Sequence, residues 1–192
     1  MRVLGIDPGL VRTGWALVQS TERGATVPAY GLIQPETNQE LQRRLAEGAR
    51  ELRKVMAEQK PELVVLEELF TAPNHPRSAL LMAHMRGVIC LVVEEAGAPL
   101  LPLTATTVKQ RLTGNGHASK QQVQGMVQRL TGLDPAQTLK WDVTDAIALG
   151  IAGLHQREHA YANPTFTTVS RTRRARGVNG LPADVAARIG LV

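Results

Sequence analysis

The chain has 192 residues, of which 43% are hydrophobic and 20% are charged, a balance that supports a packed core and excludes a wholly disordered protein. Its formal net charge of +5 favours an acidic partner such as nucleic acid. The single cysteine, Cys90, excludes a disulfide framework and a cysteine-based zinc site. Neither a signal peptide nor an apolar stretch of membrane-spanning length is evident, so we expect a soluble cytoplasmic protein with no membrane contact.

Apolar runs and turn residues predict five strands and five helices. The first three strands, at 3–6, 14–19 and 27–34, are close enough in sequence to form an antiparallel meander. Two further strands are predicted at 63–66 and 100–103. Helical spacing of apolar residues predicts helices over 40–59, 78–96, 107–112, 119–130 and 142–158. This order indicates an α/β fold with a mixed five-stranded sheet covered by helices.

Positive charge is concentrated in two regions of the chain. Residues 164–192 contain five arginines and one acid, and we expect them to form a basic, flexible C-terminal tail after a domain that spans 1–163. A second cluster lies between Thr104 and Lys140. Its five basic residues predict either a solvated helix surface or a patch that faces phosphates, and they are Lys109, Arg111, Lys120, Arg129 and Lys140.

Four carboxylates stand where the pattern predicts burial or the end of a strand. Asp7 follows the first strand and Glu67 ends the fourth, whereas Asp142 and Asp145 are three residues apart on one helix face. Clustered carboxylates repel one another unless a cation lies between them. Oxygen ligands of this kind suit Mg²⁺, and two such ions roughly 4 Å apart can catalyse phosphodiester cleavage.

Each of these acids also has an ordinary structural interpretation. Asp7 opens an Asp-Pro-Gly segment that is typical of a turn. Asp142 is a good helix N-cap, and Asp145 would then lie in the first turn as its capping partner. Glu67 and its neighbour Glu68 point to opposite faces if the strand continues, so at most one of them joins a cluster.

Four segments together resemble the RuvC family of bacterial Holliday junction resolvases. They are LGIDPGLVRTGW at 4–15, VVLEELF at 64–70, VKQRLTGNGHASKQQVQGMV at 108–127 and DVTDAIALG at 142–150. They occur in the family's order and spacing, and the resemblance extends from residue 1 to about residue 159. It implies a ribonuclease-H-like fold and a homodimer that cleaves two opposed strands of a four-way DNA junction with Mg²⁺.

The resemblance also implies roles for individual residues. Asp7, Glu67, Asp142 and Asp145 match the family's catalytic, metal-binding acids. Phe70 matches an aromatic residue that contacts bases at the junction crossover, and base stacking on an aromatic ring contributes roughly 1–3 kcal/mol. Lys109 and Lys120 match DNA-binding lysines, and a cation near the scissile phosphate would offset the charge that develops there. The branch-migration proteins RuvA and RuvB are the implied partners. Mn²⁺ accepts the same oxygen ligands as Mg²⁺.

Three other interpretations follow from the same residues. A junction-binding protein without catalysis would not need all four acids. An RNA–DNA hybrid nuclease would not need an aromatic wedge at Phe70. A sugar-kinase-type ATPase would need a second glycine-rich phosphate motif and a much longer chain. The apolar helix over 78–96 has more than one apolar face, so we expect it to contribute to a dimer interface through Leu81, Met85 and Val88.

Overall fold

A computed structural model of the chain describes residues 1–22, 24–68, 76–134 and 139–162, without the side chains of 76–78 and 156–162. Phe70 and the predicted tail over 164–192 therefore lie outside the described residues. The packing below belongs to the compact unit Met1–Glu158. The elements follow one another as β1 (Arg2–Asp7), β2 (Thr13–Thr21), β3 (Gly24–Ile33), α1 (Leu41–Gln59), β4 (Leu63–Glu67), α2 (Pro76–Glu95), β5 (Leu100–Leu103), α3 (Ala105–Thr113), α4 (Lys120–Thr131) and α5 (Trp141–Ala162).

The five strands form one mixed sheet in the order β3-β2-β1-β4-β5. The first three strands are antiparallel neighbours, which confirms the predicted meander. Strands β4 and β5 run parallel to β1 and reach their places through helical crossovers. The predicted fold class, a mixed five-stranded sheet flanked by helices, is confirmed.

Helices cover both faces of the sheet, so the central strands are apolar on both sides. In β1, Leu4 and Ile6 pack on the side of α1 and α2, whereas Val3 packs on the side of α5. In β4 the same alternation places Val64 and Leu66 toward α1 and α2. The period of two along a strand therefore assigns the odd-numbered residues of β1 to the α5 side.

Helix α5 lies very close to the sheet because two strand residues are glycines. A Cβ atom at Gly5 would overlap the backbone carbonyl oxygen of Ala146, and one at Gly14 would overlap that of Asp142. The backbone of α5 therefore rests directly on β1 and β2, which determines how far its first turns extend along the strands.

The ends of α3 and α4 are well defined. Thr104 accepts a hydrogen bond from the backbone N–H of Thr107 at the start of α3. Ser119 and Gln122 form a reciprocal capping box at the start of α4. These caps determine where each helix begins, and they place Lys120 at the first helical position of α4. Among the described residues, no helix is long and apolar enough to cross a membrane.

Candidate active site

Asp7 and Glu67 lie at the ends of adjacent parallel strands. The register pairs Ile6 of β1 with Leu66 of β4, so the next residue on each strand is one of the two acids. Asp7 follows Val3 and Gly5 on the odd-numbered face of β1, and Glu67 follows Leu63 and Val65 in the same way. Both carboxylates therefore point toward α5, where the hydrophobic layer ends.

Asp142 and Asp145 lie in the first turns of α5, on the side that meets those strand ends. The helix begins at Trp141, and the backbone carbonyl of Lys140 accepts hydrogen bonds from Val143 and Thr144. Asp142 is therefore inside the helix, and the interpretation of Asp142 as its N-cap is wrong. As an acid in the first turn, it is still favoured by the helix dipole.

The four predicted acids and the two predicted lysines line one cavity of about 340 Å³; they are Asp7, Glu67, Asp142, Asp145, Lys109 and Lys120. Strands β1 and β4 supply two acids, α5 supplies the other two, and α3 and α4 each supply one lysine. Glu68 does not line the cavity; it is exposed, and its backbone N–H donates to the carbonyl of Leu103. The structure thus brings Glu67 and not Glu68 into the cluster.

Burial and mutual repulsion oppose full ionisation of this cluster. Burial, the adjacent Glu67 and the two acids of α5 together raise the pKa of Asp7 from 3.8 to about 9. Without a bound cation this shift favours the protonated form of Asp7, whose carboxyl donates a hydrogen bond to Glu67. Burial also raises the pKa of Asp145, and Lys120 and Lys109 oppose that rise. The cavity thus holds more carboxyl groups than its own cations neutralise.

A hard divalent cation fits this donor set, because all four groups are carboxylates that share one cavity. The carboxylate oxygens do not converge on a single point. Among the described residues, no three acidic, histidine or cysteine side chains are close enough together to bind one metal ion as they stand. Two of them have other partners, since Asp7 hydrogen bonds to Glu67 and Asp142 pairs with Arg12. Coordination of a cation would therefore compete with these partners for the charge of the two carboxylates.

The predicted basic cluster divides into residues with different surroundings. Lys109 and Lys120 line the acidic cavity. Arg111 instead turns toward α5, where its guanidinium donates to the backbone carbonyl of Ala152 at 3.3 Å. Burial lowers the pKa of Arg111. The predicted cluster is therefore not one continuous patch, because Arg111 does not line the cavity that contains Lys109 and Lys120.

Two residues beside the four acids were not predicted from the sequence. Arg12, in the loop between β1 and β2, forms an ion pair with Asp142 at 3.2 Å. Trp141 lines the cavity beside the acids, and the Nζ of Lys120 lies 5.8 Å from the centre of its ring. Neither spacing nor residue type indicates these contacts, because each joins residues that are more than 20 positions apart in the chain. The sequence indicated only that Trp141 directly precedes Asp142 and so lies near that acid.

Hydrogen bonds from β2 and from α1 fix the loop that carries Arg12. The buried hydroxyl of Thr13 donates to the carbonyl of Gly9 at 2.8 Å and accepts from the N–H of the same residue at 3.3 Å. From α1, the guanidinium of Arg44 donates to the carbonyl of Leu10 at 3.0 Å. These bonds hold the turn after Asp7 and so keep Arg12 beside the cavity.

Residues 3–153 match the family model described as crossover junction endodeoxyribonuclease RuvC. The crossover junction endodeoxyribonuclease RuvC of Syntrophomonas wolfei is 37% identical over 173 residues, which cover 90% of this chain and 97% of that protein. The structure of Thermus thermophilus RuvC is similar with a TM-score of 0.75 at 27% identity, over 83% of this chain and 97% of that one.

A second T. thermophilus RuvC structure, in complex with a Holliday junction substrate, gives a TM-score of 0.74 at 27% identity, over 83% of this chain and 96% of that one. The family model covers most of the chain, and the acids it spans meet in one cavity. This chain belongs to the RuvC family of crossover junction endodeoxyribonucleases.

Proposed function

We propose that this chain is a Holliday junction resolvase, a metal-dependent endonuclease that makes paired nicks in opposed strands of four-way DNA junctions. The observation that carries the proposal is the cavity in which four carboxylates from β1, β4 and α5 face two lysines from α3 and α4. Carboxylates suit the metal ions of phosphodiester hydrolysis, and lysines suit the phosphate backbone. The RuvC relative from T. thermophilus that is bound to a Holliday junction substrate supports this choice of DNA.

RuvC-family nucleases are metal-dependent, and we propose Mg²⁺ as the metal, with two ions in each active site and Mn²⁺ able to substitute. Asp7, Glu67, Asp142 and Asp145 would hold the ions. The chemistry that bound Mg²⁺ supplies is activation of the attacking water and stabilisation of the departing 3′ oxygen. As a ligand Asp7 would be ionised, and Arg12 would compete with the metal ion for the charge of Asp142.

The other predicted site residues act on the DNA in this proposal. Lys109 of α3 and Lys120 of α4 line the same cavity as the acids and would bind the phosphate on which negative charge develops. Phe70 follows β4 by three residues, and we propose that it contacts bases at the junction crossover.

The nuclease would act as a homodimer, because a four-way junction has approximate two-fold symmetry and needs two equivalent active sites. Support comes from the outer side of α2, where Leu80 and Leu91 are 64% and 57% exposed. These residues lie along one side of the helix with Gly87 between them, and a Cβ at Gly87 would meet no atom within 4 Å. We propose this surface, named here the α2 outer face (Leu80, His84, Gly87, Leu91), as the dimer contact.

The α2 outer face differs from the residues that helical spacing predicted. Met85 is 1% exposed and packs in the core between α1, α2 and the sheet. Leu81 and Val88 are half-buried. The prediction that Met85 contributes to the dimer interface is wrong, because the broad apolar character of α2 concealed which side faces the sheet.

The family resemblance further leads us to propose that the protein works in the cytoplasm with RuvA and RuvB. Branch migration by such partners would deliver junctions to the nuclease. A pull-down of purified RuvA–RuvB assembled on a junction would test this part of the proposal separately from cleavage.

The test of the main proposal is cleavage of an end-labelled synthetic four-way junction by the purified protein in Mg²⁺. A linear duplex of the same sequence and an RNA–DNA hybrid serve as matched substrates. We expect symmetric nicks in two opposed strands of the junction and intact controls. Cleavage of the hybrid would indicate a ribonuclease-H-type enzyme. Tight junction binding without nicks in either Mg²⁺ or Mn²⁺ would indicate a junction-binding protein, and either result would contradict the proposal.

A further inference from the structure

Trp141 has an unusual position for one of the few aromatic residues in this chain. The chain contains two tryptophans, two tyrosines and two phenylalanines. Trp15 is half-buried and packs against the core beneath Gly31. Trp141 is instead 43% exposed, and it lines the acidic cavity directly before Asp142. The indole is thus only partly buried and lies beside the four acids, where its ring can contact charged side chains.

The contact that Trp141 makes is with Lys120. The Nζ of Lys120 lies 5.8 Å from the centre of the indole ring, within the range in which an ammonium is attracted to the negative face of a π-system. The contact connects the first residue of α5 with the first residue of α4. This contact joins the lysine side chain to the helix that carries Asp142 and Asp145.

The start of α4 is by itself unfavourable for the Lys120 ammonium, so the acids of the cavity and the Trp141 ring are what hold it in place. Lys120 is the first residue of α4, whose N-terminal end carries the positive end of the helix dipole, and that first turn contains no acid. Its side chain is exposed and has several rotatable bonds, so without contacts it would extend into water. Lys120 lines the cavity together with the four acids, so its ammonium lies beside them.

We infer that Trp141 is a positioning residue for the nuclease reaction, whose indole face holds the Lys120 ammonium at the mouth of the acidic cavity. The inference rests on the proposed function and deepens it. The ammonium held in this way stands where the scissile phosphate must approach the four acids. Trp141 thus acts through Lys120 and not through its own contact with DNA.

Two substitutions at Trp141 distinguish the effect of the ring's negative face from the effect of the side chain's size. Trp141→Phe keeps an aromatic face, whereas Trp141→Leu keeps an apolar side chain without one. An exposed cation–π contact is weak, so we expect Trp141→Leu to lower the single-turnover cleavage rate by about two- to fivefold. Trp141→Phe should retain most of the rate, and the junction Kd should change less than about twofold in both variants. Equal losses in the two variants would contradict the inference.

A double-mutant cycle tests whether Trp141 acts through the lysine. Lys120→Met removes the ammonium, and Lys140→Met removes a neighbouring exposed charge that does not line the cavity. We expect Trp141→Leu to have no further effect on the rate in the Lys120→Met background and its full effect in the Lys140→Met background. The same loss in both backgrounds would mean that Trp141 contacts DNA itself or supports Asp142, and would overturn the inference.

A measurement without DNA keeps this inference separate from the proposed function. The ring current of Trp141 should shift the ε-methylene protons of Lys120 upfield in NMR spectra of ¹³C-lysine-labelled protein. The signal, assigned by its loss in Lys120→Arg, should return to its usual position in Trp141→Leu. An unshifted signal in the unsubstituted protein would contradict the contact. Failure of the unsubstituted protein to cleave junctions would contradict the proposed function, whatever the spectrum shows.

Discussion

The Nε of Arg12 lies 3.2 Å from Oδ2 of Asp142, so a cation of the chain itself neutralises one of the four carboxylates in the cavity. The Arg12 side chain is 48% exposed and that of Asp142 is 26% exposed. An ion pair of this exposure contributes about 0–1 kcal/mol. It is therefore weak enough for a divalent cation to displace.

Arg12→Ala should make Mg²⁺ binding easier, because the cluster would lose a cation that offsets the charge of Asp142. We expect the Mg²⁺ concentration for half-maximal thermal stabilisation to fall by up to about fivefold, in line with the small energy of the pair. The measurement is a melting curve at increasing Mg²⁺ without DNA. Arg50→Ala is the matched control, since Arg50 pairs with Glu51 on α1. A higher Mg²⁺ requirement in Arg12→Ala would show that Arg12 does not compete with metal.

Asp7→Asn should abolish cleavage and leave the junction Kd within about tenfold, because this carboxylate would serve the metal ions and not the DNA. Glu67→Gln should behave in the same way. Glu68→Gln is the control, since that side chain is exposed and does not line the cavity. Cleavage and filter-binding assays on the same junction would measure both properties. Normal cleavage by Asp7→Asn would remove it from the metal-ligand set.

The stability of the metal-free protein should fall as pH rises. In the folded protein the pKa of Asp7 is raised from 3.8 to about 9, mainly by burial and by Glu67. Between these two values the folded state keeps a proton that the unfolded chain has lost, so the free energy of unfolding decreases with increasing pH. Asp145 contributes in the same direction, because burial also raises its pKa.

Urea unfolding in EDTA at several pH values between about 5 and 8 would measure this dependence. We expect a smaller slope in Asp7→Asn, which has no proton to lose, and recovery of stability at high pH when Mg²⁺ is added. Parallel curves for Asp7→Asn and the unsubstituted protein would show that Asp7 is ionised in the folded state.

Gly14→Ala should lower both the free energy of unfolding and the rate of junction cleavage. The added Cβ would overlap the backbone carbonyl of Asp142, so α5 must move away from β2 and carry its two acids with it. We expect a loss of about 1–3 kcal/mol in the free energy of unfolding. Gly125→Ala on α4 is the control, since nothing lies within 4 Å of an added Cβ there. Equal stability of the two variants would show that α5 does not rest on Gly14.

Leu91→Glu should produce a monomer, because it places a charge on one of the two exposed leucines of the proposed α2 outer face. Sedimentation equilibrium would report the mass, and the junction assay would report whether the two nicks remain paired. Ala57→Glu on α1, which is also an exposed helix position, is the control. An unchanged dimer in Leu91→Glu would place the interface elsewhere on the surface.

The secondary structure could be predicted from local patterns. All five strands and five helices were expected in the right order, since turn residues and apolar periodicity depend on neighbouring residues alone. Boundaries were less accurate: β3 begins at Gly24 and not at Val27, and α5 begins at Trp141 and not at Asp142. The shift at α5 is small, but it places Asp142 inside the helix and not at its cap.

The sequence by itself determined the fold class and the family, and it singled out the four acids. Each of these follows from short segments and from the spacing between them, which can be read directly from the sequence. Only the tertiary structure decided that Arg12 pairs with Asp142, that Trp141 faces Lys120, and that Met85 belongs to the core while Leu91 is exposed. These relationships depend on the register of β1 against β4 and on the close approach of α5 at Gly5 and Gly14. Register and helix placement arise from packing among distant segments, so no local pattern records them.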